Sequence, residues 1–245
     1  MKRLGTIFMV ACLTGGWPTG EAAAQSAPAA PDRLFRQALK HYQDGDFQSG
    51  LDGFTAALAA MPAPPPFDPA LLHYNRGIGL YRLTQPAEAA SAFREALRTP
   101  DIRLQHRIYF NLGNALYQSA QLQLNEGDVA GAFRLYQESS TNYIQALRLE
   151  PGDQDAKINY ELSMMAQIRI LQMVAQAMER LRQGEQMIGE FRFVEAAQWF
   201  QQNQPMVEKA LTLDPEVKKL FETMTERTTA VAEILVTPSG EATPP

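Results

Sequence analysis

The sequence predicts an all-α fold of antiparallel helical hairpins stacked in series, and three observations predict it. Apolar residues recur at helical spacing from about residue 32 to residue 235, while alternating strand-like runs bounded by turn residues are missing. A pattern of small residue, aromatic, turn, aromatic, Ala and Pro returns three times in register. Each copy is long enough for two helices and carries its turn residues between them.

The first copy runs from Ala38 through Tyr42 to a Gly45-Asp46-Phe47 turn, then through Gly50, Phe54 and Ala57 to Pro62. The second runs from Tyr74 and Gly77 through Tyr81 to the turn Thr84-Gln85-Pro86, then through Ala89, Phe93 and Ala96 to Pro100. In the third, Phe110, Gly113 and Tyr117 precede a Gly127-Asp128 turn, and Tyr143, Ala146 and Pro151 follow it. Small residues at Ala38, Gly77 and Gly113 let the helices of a hairpin approach closely, and Phe54, Phe93 and Tyr143 are expected to fill the space between hairpins. The closing prolines stop the second helices.

The third hairpin is longer than the others. Gly45 stands seven positions after Ala38, whereas Gly127 stands fourteen after Gly113, and the return side is lengthened by the same seven residues. Such a hairpin protrudes by roughly 10 Å at about 1.5 Å per residue. A degenerate fourth copy has a first helix from about Asp155 to Ile188, a turn expected at Gly189-Glu190-Phe191, and an ending Val207-x-x-Ala210-Leu211-x-x-x-Pro215 that matches Tyr143 to Pro151. Pro205 is expected to kink or break its second helix. A last helix, from Pro215 to Leu235, presents Leu220, Met224, Val231 and Ile234 as a cap on the apolar end of the stack.

At the amino terminus, Met1-Lys2-Arg3, an apolar stretch from Leu4 to Leu13 and a small-residue segment ending at Ala24 have the order of a secretory signal peptide. Residues 1–24 are therefore expected to be removed, 25–31 to form a linker, 32–151 the three repeats, 152–235 the extended hairpin and cap, and 236–245 a disordered tail. The apolar stretch is shorter than the roughly 20 residues a membrane span needs, and no later segment approaches that length. Cys12, the single cysteine, lies inside the signal, where lipid attachment is disfavoured by its early position. The mature chain thus has no thiol for catalysis, disulfides or metal. It keeps 20 basic against 26 acidic residues, a net charge of −6, which argues against a nucleic-acid partner.

These repeats resemble the tetratricopeptide superfamily, whose fold is a right-handed solenoid of helical hairpins. A narrower resemblance lies in Tyr109-Phe-Asn-Leu-Gly-Asn-Ala-Leu-Tyr117 and in Leu149-Glu-Pro-Gly-Asp-Gln-Asp-Ala-Lys-Ile-Asn-Tyr-Glu-Leu162, which are similar to exported repeat proteins of Bat-type (aerotolerance) loci. That resemblance implies a periplasmic, non-enzymatic adaptor working with a MoxR-type ATPase and von Willebrand factor A-domain membrane proteins, with no cofactor.

In a stack of this kind the first helices line a groove that suits an extended peptide. Repeat register places Phe35, Tyr74, Phe110, Tyr42, Tyr81 and Tyr117 on the groove side, with Asn75, Asn111 and Asn114 beside them. Rings cover apolar side chains and amides pair with peptide groups; the alternative is that the rings pack between repeats. A terminal-carboxylate clamp of the tetratricopeptide type is matched by Asn75 and Arg107, but Phe35 and Leu39 stand where Lys and Asn are required. The fourth turn concentrates Met187, Ile188, Phe191 and Phe193. This group reads either as a docking tip or, the preferred reading, as packing against Val129 and Phe133 of the third hairpin.

Catalytic patterns are sparse. His41, His73 and His106 lack paired metal-ligand spacing, and Gly77-x-Gly79 lacks the third glycine of a phosphate loop. Glu138-Ser139 resembles the Glu-Ser pair of helical lytic transglycosylases, and a peptidoglycan-active enzyme with Glu138 as general acid is the alternative function. The accompanying Gly-Leu-Met-Gln motif is absent.

Overall fold

A computed structural model describes residues 30–213 and 215–236. The signal segment, Cys12, residues 25–29 of the linker and residues 237–245 of the tail lie outside the described residues. Among the described residues the chain is all-α: α1 (Ala30–Gln43), α2 (Phe47–Ala59), α3 (Ala70–Arg82), α4 (Pro86–Ala96), α5 (Ile102–Glu126), α6 (Val129–Leu149), α7 (Gln154–Gly189), α8 (Phe193–Ala210), a single 3₁₀ turn (Leu211–Leu213) and α9 (Pro215–Val236). The helices follow one another as consecutive hairpins. Helix α1 takes in Ala30 and Pro31, placed in the linker by sequence, because a first-turn proline fits the helical φ and has no amide left unpaired. The third hairpin is the long one expected, with α5 of 25 and α6 of 21 residues against 13 and 11 in α3 and α4.

Among the described residues, contacts divide the chain into two compact units, 30–119 with 137–163 and 120–136 with 164–236. In the second and third hairpins a small residue lies beneath a ring of the same hairpin, where the rings were expected between hairpins. A Cβ built on Gly77 would stand 2.6 Å from the Phe93 ring, and one on Gly113 would stand 2.6 Å from the Tyr143 ring. Phe54, Phe93 and Tyr143 are all buried. In α1 and α2 the close approach is between Ala38 and Gly53, whose added Cβ would lie 2.7 Å from that of Ala38.

The second unit repeats the device where the sequence reading had not placed it. Phe200 is fully buried, and its ring lies 2.4 Å from a Cβ built on Gly184. Gly184 stands seven positions before Phe191 and Phe200 nine after it, as Ala38 and Phe54 stand about Gly45. The fourth turn is therefore Phe191-Arg192-Phe193, two residues later than the Gly189-Glu190-Phe191 expected, and Phe200 rather than Val207 occupies the position of Phe54. Val207 and Ala210 are buried beside it with Ala177, Leu181, Ala196 and Phe221.

All four turns share one backbone. In the first, Gly45 N–H donates to Tyr42 C=O (3.1 Å) and Asp46 N–H to His41 C=O (2.9 Å). Thr84 and Gln85, Gly127 and Asp128, and Phe191 and Arg192 make the same pair of bonds to their own preceding helices. This is the Schellman ending, whose first residue adopts the left-handed conformation. The φ values there are +85° at Gly45, +61° at Thr84, +92° at Gly127 and +60° at Phe191. Asp46 and Asp128 then cap the next helix by accepting from Ser49 N–H (3.1 Å) and Gly131 N–H (2.8 Å).

Two further expectations are corrected. Of the kink or break expected at Pro205, the break does not occur, since α8 runs on to Ala210; Gln201, whose carbonyl loses its helical donor, is exposed and open to water. The cap α9 packs by Phe221, Val217 and Met224 against the Phe200 cluster. Leu220 and Ile234, expected to face inward, are 48% and 75% exposed, because Phe221 holds the inward position and sets the register of the helix.

Candidate functional site

The first-helix face of the first unit is built from α1, α3, α5 and the start of α7. Its aromatic residues are largely taken up inside hairpins. Phe35 packs on Phe54 (ring centroids 5.9 Å apart), Tyr74 on Phe93 (5.9 Å) and Phe110 on Tyr143 (6.1 Å). Tyr42 is buried against Phe47 at 5.0 Å, and its hydroxyl accepts from Arg82 Nε at 3.2 Å. Tyr81 and Tyr117 are half-buried, and burial raises the Tyr81 phenol above its ordinary pKa.

The asparagines form an internal ladder. Asn75 Nδ2 donates to Leu71 C=O (2.7 Å). Asn111 Nδ2 donates to the Tyr74 hydroxyl (3.1 Å) and to Arg107 C=O (2.9 Å). Asn114 Oδ1 accepts from the Tyr143 hydroxyl (2.7 Å) and from Asn159 Nδ2 (2.9 Å). These bonds satisfy polar groups that helix packing buries, and they tie α3, α5, α6 and α7 together. Burial drives the Tyr143 phenol far above its usual range, so it stays a neutral donor.

Where α5 meets the start of α7 the face opens into a depression of about 210 Å³ lined by His106, Arg107, Phe110, Asn111, Asp153 and Asp155. The structure thus brings together three of the groove residues read from sequence, Arg107, Phe110 and Asn111. Asp153 organises the other side. One carboxylate oxygen accepts from Ala156 N–H (2.9 Å), capping α7, and the other lies 2.9 Å from His106 Nε2. His106, Asp153 and Asp155 were missed by sequence reasoning. Asp153 before Gln154-Asp155-Ala156 carries a helix-start signal, but nothing local links it to His106, 47 positions away. The depression brings the edge of Phe110 together with the cationic Arg107 and the carboxylates of Asp153 and Asp155.

Glu138 and Ser139 point in different directions chemically. Glu138 is exposed and ion-paired with Arg94 (2.5 Å). Ser139 is fully buried, donates to Gly113 C=O (2.8 Å) and lies 3.0 Å from Ser163 Oγ. A surface carboxylate in an ion pair is not held in the desolvated setting that a general acid requires.

At the fourth turn the apolar group divides. Met187 and Ile188 pack against the Phe200 cluster, while Phe191 is 80% exposed and meets Phe193 edge-on at 6.2 Å. Arg192 sits between Glu190 (3.0 Å) and Glu195. Among the described residues no helix is long and apolar enough to cross a membrane.

No protein-family model matches the chain, and no curated protein matches it. Among solved structures it is similar to the first tetratricopeptide domain of Spaghetti (RPAP3) bound to the HSP90 peptide SRMEEVD, at 20% identity over 56% of this chain and 91% of that one, with a TM-score of 0.43. It is likewise similar to the second such domain of human RPAP3 in complex with the HSP70 peptide SGPTIEEVD, at 16% identity over 55% and 98%, with a TM-score of 0.43.

Proposed function

We propose that the protein is a non-enzymatic adaptor that binds an extended segment of a partner protein on the first-helix face of its first unit. The depression lined by Arg107, Phe110, Asn111 and Asp155 carries this reading. Phe110 gives a side chain an apolar contact, and Arg107 and Asp155 supply opposite charges within one site, which suits a mixed peptide and no single small anion. The buried aromatic residues and the asparagine ladder serve as the rigid support beneath it. The adaptor acts in the periplasm after loss of residues 1–24, in an envelope complex with a MoxR-type ATPase and von Willebrand factor A-domain membrane proteins. The basic, apolar and small-residue order of the first segment and the motifs at Tyr109–Tyr117 and Leu149–Leu162 support that setting.

The test is calorimetric titration of the mature chain with a purified von Willebrand factor A-domain protein from its own host. Combined Arg107→Ala and Asp155→Ala replacement is expected to weaken binding at least tenfold with an unchanged melting temperature. Equal affinity in the double variant would remove the depression from the interface, and no binding by the native chain would remove the partner.

A further inference from the structure

The fourth turn displays an aromatic side chain that neither the packing of its unit nor the depression uses. Left-handed backbone is unfavourable for a residue with a Cβ and is a genuine outlier for a bulky one. The first and third turns meet the requirement with glycine, and the fourth meets it with Phe191 at φ +60°. The second turn, with Thr84 at φ +61°, shows that the position tolerates a side chain. What sets Phe191 apart from the exposed Thr84 is the large apolar ring that it leaves in water. It is 80% exposed and meets the edge of Phe193, whereas Met187 and Ile188 pack against the Phe200 cluster. A strained backbone that displays an aromatic side chain to water runs against both terms of folding stability, and such sites gather where a partner is engaged.

The charges around the ring say what kind of partner fits. From Glu185 to Glu195 there are three glutamates and one arginine. The guanidinium of Arg192 contacts both Glu190 and Glu195 and offsets one of the two carboxylates, so residues 185–195 carry an excess of two negative charges. Such a tip is repelled by an anionic lipid surface and attracted to basic side chains. We propose that Phe191 is a docking knob that inserts into an apolar pocket, rimmed by Lys or Arg, on a partner protein, with Phe193 as its prop and Arg192 fixing the two carboxylates. This site goes beyond the depression of the first unit and does not rest on it.

The full-length protein carrying the photocrosslinker p-benzoylphenylalanine at position 191 is expressed in its own host, and the protein joined to it is produced and titrated against purified native chain. Phe191→Gly is expected to weaken binding at least tenfold while raising the melting temperature by about 2–4 °C, because the replacement suits the backbone. Phe191→Trp is expected to retain affinity, and Glu190→Gln with Glu195→Gln to lower it and flatten its salt dependence. The Arg107 and Asp155 double variant is expected to bind this partner like the native chain, which separates the two sites. Unchanged affinity in Phe191→Gly, or crosslinks only to a second copy of the chain, would overturn the proposal. So would co-sedimentation with phosphatidylglycerol vesicles that Phe191→Gly abolishes.

Discussion

Gly113 lies so close beneath the Tyr143 ring that a methyl group there has no room. Gly113→Ala is expected to cost about 1–3 kcal/mol through overpacking, read as a drop in the circular-dichroism melting temperature. Thr84→Gly works in the opposite sense. It relieves left-handed backbone at an exposed turn and is expected to add roughly 1–2 kcal/mol, leaving binding at both sites unaltered. His73 supplies a pH dependence. Burial, aided by Arg76 and Arg98 and opposed by Glu95 and Asp68, lowers its folded-state pKa below 6.5. The unfolded chain then binds the proton more readily, so the contribution of His73 is fully present above pH 6.5 and is lost as pH falls through the lower folded value. Melting curves between pH 7.5 and pH 5 are expected to show a smaller loss for His73→Gln than for the native chain.

Helices and turns were legible to different depths. The first three turns follow from Gly45, from Thr84 before Gln85-Pro86 and from Gly127, since glycine and proline act on the backbone locally. The fourth misled because Gly189 stands where a glycine rule places the turn, whereas the fit of Phe200 over Gly184 sets it at Phe191. That fit is made between two helices and leaves no mark on either alone. Helix α9 was misread for the same reason: its periodicity admits neighbouring faces, and the fully buried Phe221 selects one. Pro205 shows the reverse, a strong local signal overridden by a helix anchored on both sides of it by Phe200 and Val207. Pro205→Ala is accordingly expected to stabilise the protein by about 2–3 kcal/mol, measured by urea denaturation.

At the scale of the whole chain, the enzymatic alternative and the adaptor reading part in a single assay. Purified protein incubated with peptidoglycan is expected to release no muropeptides, before or after Glu138→Gln. Repeat spacing and helical periodicity settled the all-α class, the succession of hairpins and the long third hairpin, because each depends on residues within a few turns of one another. The candidate site was legible only in half. Arg107, Phe110 and Asn111 share one helix face and could be grouped by register, but their meeting with Asp153 and Asp155, and the pairing of Asp153 with His106, depended on where α7 starts against α5. The same limit governed the aromatic residues, which looked alike in sequence. Packing turned Tyr42, Tyr74 and Phe110 inward and left Phe191 in water, because exposure is a property of the surfaces brought against a side chain and not of the side chain itself.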